Sequence, residues 1–139
     1  MVLIRVLATG TFDILHPGHI TYLRESRKLG DELYVIVARE SMILHKPKPF
    51  LPEEQRLEVV KALKVVDCAV LGNEIDMFKP LEEIQPAIIT LGYNQHFKEE
   101  ELSEKLKKRG IHAKVVRIKN FESCELCSTR TIVQHIRRL

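Results

Sequence analysis

The chain has no tryptophan, only three cysteines and no apolar run near the roughly 20 residues that a membrane helix needs. An odd cysteine count argues against a disulfide framework, so burial has to hold the fold together. At 139 residues the chain fits one domain, 1–139, with one core. The formal net charge is only +3, without the basic stripe of a nucleic-acid reader, so no nucleic acid and no membrane are expected as partners. The apolar start, MVLIRVLATG, is too short for a secretory signal and lacks a small-residue cleavage pattern, which makes it a buried strand and a cytoplasmic location the default. Neither GxGxxG nor GxxxxGK[ST] occurs, so the common dinucleotide fingerprint and the P-loop are both missing.

What is present is an alternation of strand and helix from end to end. Strands are expected at Val2–Ala8, Leu33–Ala38, Val65–Leu71, Ala87–Leu91 and Ala113–Ile118, each a short apolar run of the kind buried on both faces. Helices are expected from Pro17 to about Leu29, from Pro52 with Leu57, Val60 and Leu63 facing inward, over Ile75–Ile84 with Pro80 interrupting, over Glu99–Arg109, and over Ser128–Leu139. Five strands joined by helical crossovers imply an α/β fold: a single Rossmann-like domain whose five-stranded parallel sheet is covered by helices on both faces. Ligands of such sheets bind beyond the C-terminal strand ends, where strand order reverses.

The loop after the first strand reads Thr9-Gly10-Thr11-Phe12-Asp13-Ile14-Leu15-His16-Pro17-Gly18-His19. A helix opens at Pro17, so free N–H groups and the positive dipole end face the strand tips. Gly18, lacking a side chain, lets a phosphate approach the backbone. His16 and His19, three apart, point to one side. Such an arrangement suits nucleotidyl transfer, in which catalysis is mostly positioning and neutralisation of charge on phosphate oxygens. His16 and His19 are the catalytic candidates. A cap, or a zinc pair, is the alternative reading of two histidines at this spacing.

The GTFDILHPGH segment, together with the STRTI segment from Ser128, resembles the cytidylyltransferase-like branch of the HxGH nucleotidyltransferases (HUP/adenylyltransferase-type folds). LGDELYVIVAR (29–39), KPKPFLPEEQR (46–56) and LGYNQ (91–95) are most similar to the archaeal FAD synthases within it. The resemblance implies transfer of AMP from ATP to FMN, giving FAD and pyrophosphate with a divalent metal ion such as magnesium. It implies that Thr11, Phe12, His16, Pro17, Gly18 and His19 hold the ATP phosphates, that Lys46 matches a family lysine, and that Asn94 and Phe121 lie near the nucleotide. A buried core phenylalanine is the other reading of Phe121. The family often has aspartate where Asn94 stands. A homodimer stays open by the same resemblance. Cytidylyltransferases carry RTxGIST where this chain has Phe121 to Ser128 with FESCELCS, so glycerol-3-phosphate cytidylyltransferase is the rival within the class.

Several residues keep two readings. Ser128 and Thr129 either bind β- and γ-phosphates at a second helix start or simply cap it. Lys46 and Lys48 either meet phosphate or are solvated loop charges, with Lys46 preferred. Arg117 ends the fifth strand beside a ligand or at a plain surface. Asp13 either binds the metal indirectly or caps the loop, with a structural hydrogen bond preferred. The crowd Lys105, Lys107, Lys108, Arg109, Lys114, Arg117 and Lys119 reads as a solvated face before it reads as a field around phosphate. Cys68 is expected as a small core residue. Cys124 and Cys127 are expected as a thiol pair, with a redox or zinc regulatory module, or a flavin- or nucleotide-binding module without turnover, as the non-enzyme readings.

Overall fold

The computed structural model of the chain describes residues 2–121 and 123–139; Met1 and Glu122 lie outside the described residues. The elements run β1 (Arg5–Gly10), α1 (Pro17–Arg27), β2 (Glu32–Val37), α2 (Glu53–Lys61), β3 (Cys68–Leu71), α3 (Lys79–Ile84), β4 (Ile88–Leu91), α4 (Glu99–Lys108), β5 (Lys114–Arg117) and α5 (Thr129–Arg137). All neighbouring strands are parallel, in the order β3-β2-β1-β4-β5. The order reverses between β1 and β4, which places the crevice for a ligand above their C-terminal ends.

Alternation along β1 divides the core. Val6 and Ala8 join Leu23, Val35, Val37 and Val60 on the side of α1 and α2. Leu7 joins Ile36, Ile89, Leu91, Leu102 and Leu106 on the side of α3 and α4. The two layers are what a parallel sheet needs, since both of its faces must be dry.

The expected elements are all found, with shifted ends. β1 starts at Arg5 because Ile4 is engaged by the neighbouring turn: its N–H donates to Asp31 Oδ2 at 2.7 Å and its carbonyl accepts from Asp31 and Glu32. Pro80 does not interrupt a longer helix; it sits in the first turn of α3, where a missing N–H costs nothing. Residues 73–78 are a turn, held by Asn73 Oδ1 accepting from Ile75 and Asp76. On α2 the inward face includes Arg56, which is 1% exposed.

Candidate active site

The β1–α1 loop takes its shape from Phe12. This residue has φ 52°, a left-handed conformation that is strained for a residue with a side chain. Its ring is 3% exposed and belongs to the core cluster beneath α1, which offsets the strain. The ring folds back over Gly10, where a Cβ would lie 2.9 Å from it. Phe12 therefore anchors the loop from below, its ring centroid 5.4 Å from that of His19.

The two histidines form an N-terminal capping box on α1. His16 Nδ1 accepts from Gly18 N–H at 3.1 Å, and His19 Nδ1 accepts from His16 N–H at 3.3 Å. Both Nδ1 atoms being acceptors, the neutral rings carry their proton on Nε2 and present it as a donor. The ring centroids lie 3.8 Å apart. Burial lowers the pKa of both rings, and His19 falls to about 3 through burial, the neighbouring His16 and the field of Lys46. At neutral pH the pair is thus two uncharged donors fixed side by side.

Gly18 is also required by packing. A Cβ there would lie 2.8 Å from His16 Cε1 and 3.2 Å from the Cys127 carbonyl. The bare position makes room for the His16 ring and for the segment before α5. Its N–H is spent on the cap. Pro17 supplies the first residue of α1 and is exposed.

The second helix start meets the first. Ser128 caps α5, its Oγ accepting from Thr131 N–H at 3.1 Å, and Thr129 Oγ1 donates to the Ile14 carbonyl at 3.2 Å. Both hydroxyls are therefore engaged in placing the helix. The first intrahelical bond is donated by Ile132, which leaves the N–H groups of Thr129 and Arg130 at the open turn beside the histidine loop.

Residues that the sequence reading passed over hold the crevice together. Arg56 reaches under the loops: Nε donates to the Leu51 carbonyl (3.0 Å), and Nη1 to the carbonyls of Thr11 (2.7 Å) and Ala38 (2.9 Å). Its place four residues before Val60, on the inward stripe of α2, was the available signal. Tyr22 bridges the tips of β1 and β4, its hydroxyl donating to the Thr90 carbonyl at 2.8 Å and accepting from Thr9 N–H at 3.2 Å. Burial pushes this phenol up to about 12. Gln95 does the same from above, donating to the Thr9 carbonyl at 3.1 Å and accepting from Gly92 N–H at 2.6 Å.

The remaining candidates separate cleanly. Asp13 is structural, accepting from Phe50 N–H at 2.8 Å and Leu51 N–H at 3.0 Å. Lys48 Nζ donates to the Glu40 and Ile43 carbonyls and so belongs to its own loop. Lys46 is the lysine whose field reaches His19; burial pulls its pKa down and Asp13 opposes this. Arg117 is a clamp rather than a ligand group: it donates to the carbonyls of Gly92, Gln95 and Phe97 and pairs with Glu99, pinning the loop after β4. Asn94 is exposed in that loop. Phe121 is 60% exposed and its ring lies 5.1 Å from that of Tyr93, so the core reading does not hold for it. On α4, Leu102 and Leu106 are buried while Lys105, Lys107 and Lys108 are exposed.

The expectation for the cysteines also changes. Cys124 and Cys127 are joined as a disulfide across Cα atoms 5.4 Å apart, and Cys68 is free. Three residues of turn bring the pair within bridging reach. It is a local link beside α5, which is why the odd count did not exclude it. Among the described residues no group of three or more His, Cys, Asp or Glu side chains stands ready to hold a metal.

Two uncharged imidazole donors, two converging helix starts and a lysine whose field reaches His19 thus lie together at the β1–α1 loop, and the relatives make the chain a nucleotidyltransferase. The chain belongs to the cytidylyltransferase-like family, whose pattern matches residues 7–135. It is 61% identical over 134 residues to the FAD synthase of Archaeoglobus profundus, covering 96% of this chain and 86% of that one. It is 63% identical over 132 residues to the FAD synthase of Methanohalophilus mahii, covering 95% and 93%. A solved structure described as the lipopolysaccharide core biosynthesis protein of Thermoplasma volcanium superposes with a TM-score of 0.83 at 54% identity, covering 87% of this chain and all of that one. Among the described residues no helix is long and apolar enough to cross a membrane.

The depressed His19 pKa has a consequence for stability. Unfolding restores the ordinary value near 6.5, so between that value and about 3 the unfolded chain binds the proton that the folded chain refuses. Stability then falls as pH falls through this window. From pH 8 to pH 5 the loss is on the order of 1–2 kcal/mol from this group alone. Urea unfolding of the protein and of His19→Asn at both pH values measures it; equal slopes in the two proteins would refute the assignment.

Proposed function

We propose that this chain, as a single domain of residues 1–139, transfers AMP from ATP to FMN, forming FAD and releasing pyrophosphate. An oxygen of the FMN phosphate attacks the α-phosphorus of ATP, and the bond from that phosphorus to the bridging oxygen of pyrophosphate breaks. The FMN phosphate is already an anion, so no protein nucleophile or strong base is required. The fixed pair of Nε2–H donors on His16 and His19 carries the reading: they stabilise charge that develops on the phosphate oxygens without reorganising. Lys46 neutralises from the side of the β2–α2 loop. The open turn of α5 that Ser128 and Thr129 begin receives the departing pyrophosphate through the backbone N–H groups of Thr129 and Arg130. Thr11, and the backbone of Phe12, line the crevice between them. Asn94, Tyr93 and Phe121 serve the adenine.

The choice of FMN rests on relatives at about 60% identity that span nearly the whole chain. The divalent cation enters with the triphosphate. Asp13 is spent on two backbone N–H groups and no carboxylate cage stands among the described residues, so a hard ion held by phosphate oxygens and water fits these surroundings. ATP and FMN as substrates support a cytoplasmic location.

Paired incubations test the reaction: FMN with ATP, and glycerol 3-phosphate with CTP. FAD and pyrophosphate are expected from the first and no CDP-glycerol from the second. CDP-glycerol without FAD would make the chain a cytidylyltransferase instead.

A further inference from the structure

Transfer from ATP to FMN brings two planar ring systems to one small crevice. Tyr93 and Phe121 stand on the β4–β5 side. The β2–α2 loop, on the opposite side, carries another exposed aromatic, Phe50, at 62% exposure, with Leu44 also exposed. That loop is not loose. Asp13 holds the N–H groups of Phe50 and Leu51. Arg56 ties the Leu51 carbonyl to the Thr11 carbonyl. Ile43 is buried and Lys48 fastens the loop to its own carbonyls. A large apolar ring is thus kept in water on a backbone fixed to the β1–α1 loop, which lowers the ordering cost of a ligand that stacks on it.

Reaction geometry selects the ligand. Entering and leaving oxygens stand in line on opposite sides of the phosphorus. The start of α5, which takes the leaving group, is tied to Ile14 and packs on Gly18. The entering phosphate therefore arrives from the side away from α5, and Lys46, whose charge reaches His19 and Asp13, is the lysine in range of it. We propose, on the reading of FMN as acceptor, that Phe50 seats the isoalloxazine ring of FMN, with Leu44 flanking it and Lys46 meeting the FMN phosphate. Lys46 and Phe50 are four residues apart, a chain span of at most about 14 Å, which a ribityl phosphate can match. The mainly apolar trough along α1, lined by Leu15, Ile20 and Leu63 and reaching His16 and Arg24, offers no phenyl or phenol ring on which a flavin could stack.

The test uses the full chain with Phe50→Ala and Phe50→Tyr, each checked for an unchanged unfolding midpoint. Phe50→Ala is expected to raise KM for FMN about tenfold, to leave KM for ATP within about twofold, and to weaken quenching of FMN fluorescence on binding. Phe50→Tyr is expected to restore both. Unchanged KM for FMN in Phe50→Ala, or a rise in KM for ATP instead, overturns the seat while FAD formation by the unaltered protein keeps FMN as acceptor. Absence of FAD formation and of FMN quenching in the unaltered protein overturns the acceptor itself, and the seat with it.

Discussion

His19→Asn is expected to slow AMP transfer by about 10²–10³-fold, the usual cost of removing one preorganised donor from a site of developing charge. Asparagine is the informative replacement because it separates two jobs done by one ring. Its Oδ1 can stand where Nδ1 stands and accept from His16 N–H, keeping the capping box of α1. It cannot reach to the position of Nε2, so the donor to phosphate is lost. His19→Ala loses both, and is expected to fall equally in rate and to lose about 1 kcal/mol of stability as well, as an N-terminal cap does. The measurement is kcat and KM for each substrate alongside a thermal unfolding curve. Wild-type kcat in His19→Asn would remove the ring from the chemistry and leave it a cap.

Arg56→Met is expected to destabilise the fold by about 3–5 kcal/mol, a large share of what a domain of this size has. The guanidinium is buried, and three carbonyls from three different segments, Thr11, Ala38 and Leu51, depend on it. Methionine fills similar space but offers no donor, so those carbonyls are left dry and unbonded. Nη2 has no hydrogen-bond partner among the described residues, so the loss comes from Nε and Nη1. Lys105→Ala, at an exposed position of α4, is the control and should stay within about 0.5 kcal/mol of the unaltered protein. Urea unfolding measures both. A loss below about 1 kcal/mol in Arg56→Met would mean that water or a shifted loop satisfies the carbonyls.

The five strands were legible because each is a short apolar run between breakers, and a parallel sheet leaves no other pattern open to a strand buried on both faces. The helices were legible at their starts: Pro17, Pro52 and Ser128 mark three of them. Ends were less so. Val2–Ile4 is as apolar as the strand that follows it, yet Asp31 claims Ile4 through a contact 27 residues away. A run of residues does not record such a partner.

At the site, local sequence determined the pair of histidines, their spacing on one turn, and the helix that opens beneath them, because these depend on neighbours three or four residues apart. That Asp13 makes a structural hydrogen bond was expected, but its partners, the N–H groups of Phe50 and Leu51, are 37 and 38 residues away and only the fold supplies them. Only the tertiary structure decided that Gly18 makes room for His16 and Cys127, that Phe12 points down into the core, that Arg117 clamps a loop, and that Arg56 lies under three segments at once. Most of those facts rest on contacts between chain positions far apart in sequence, brought together by the parallel pairing of β1 with β2 and β4. Charge and hydrogen-bonding capacity are written residue by residue, but which carbonyl an arginine satisfies is settled by what the fold places within about 3 Å of it.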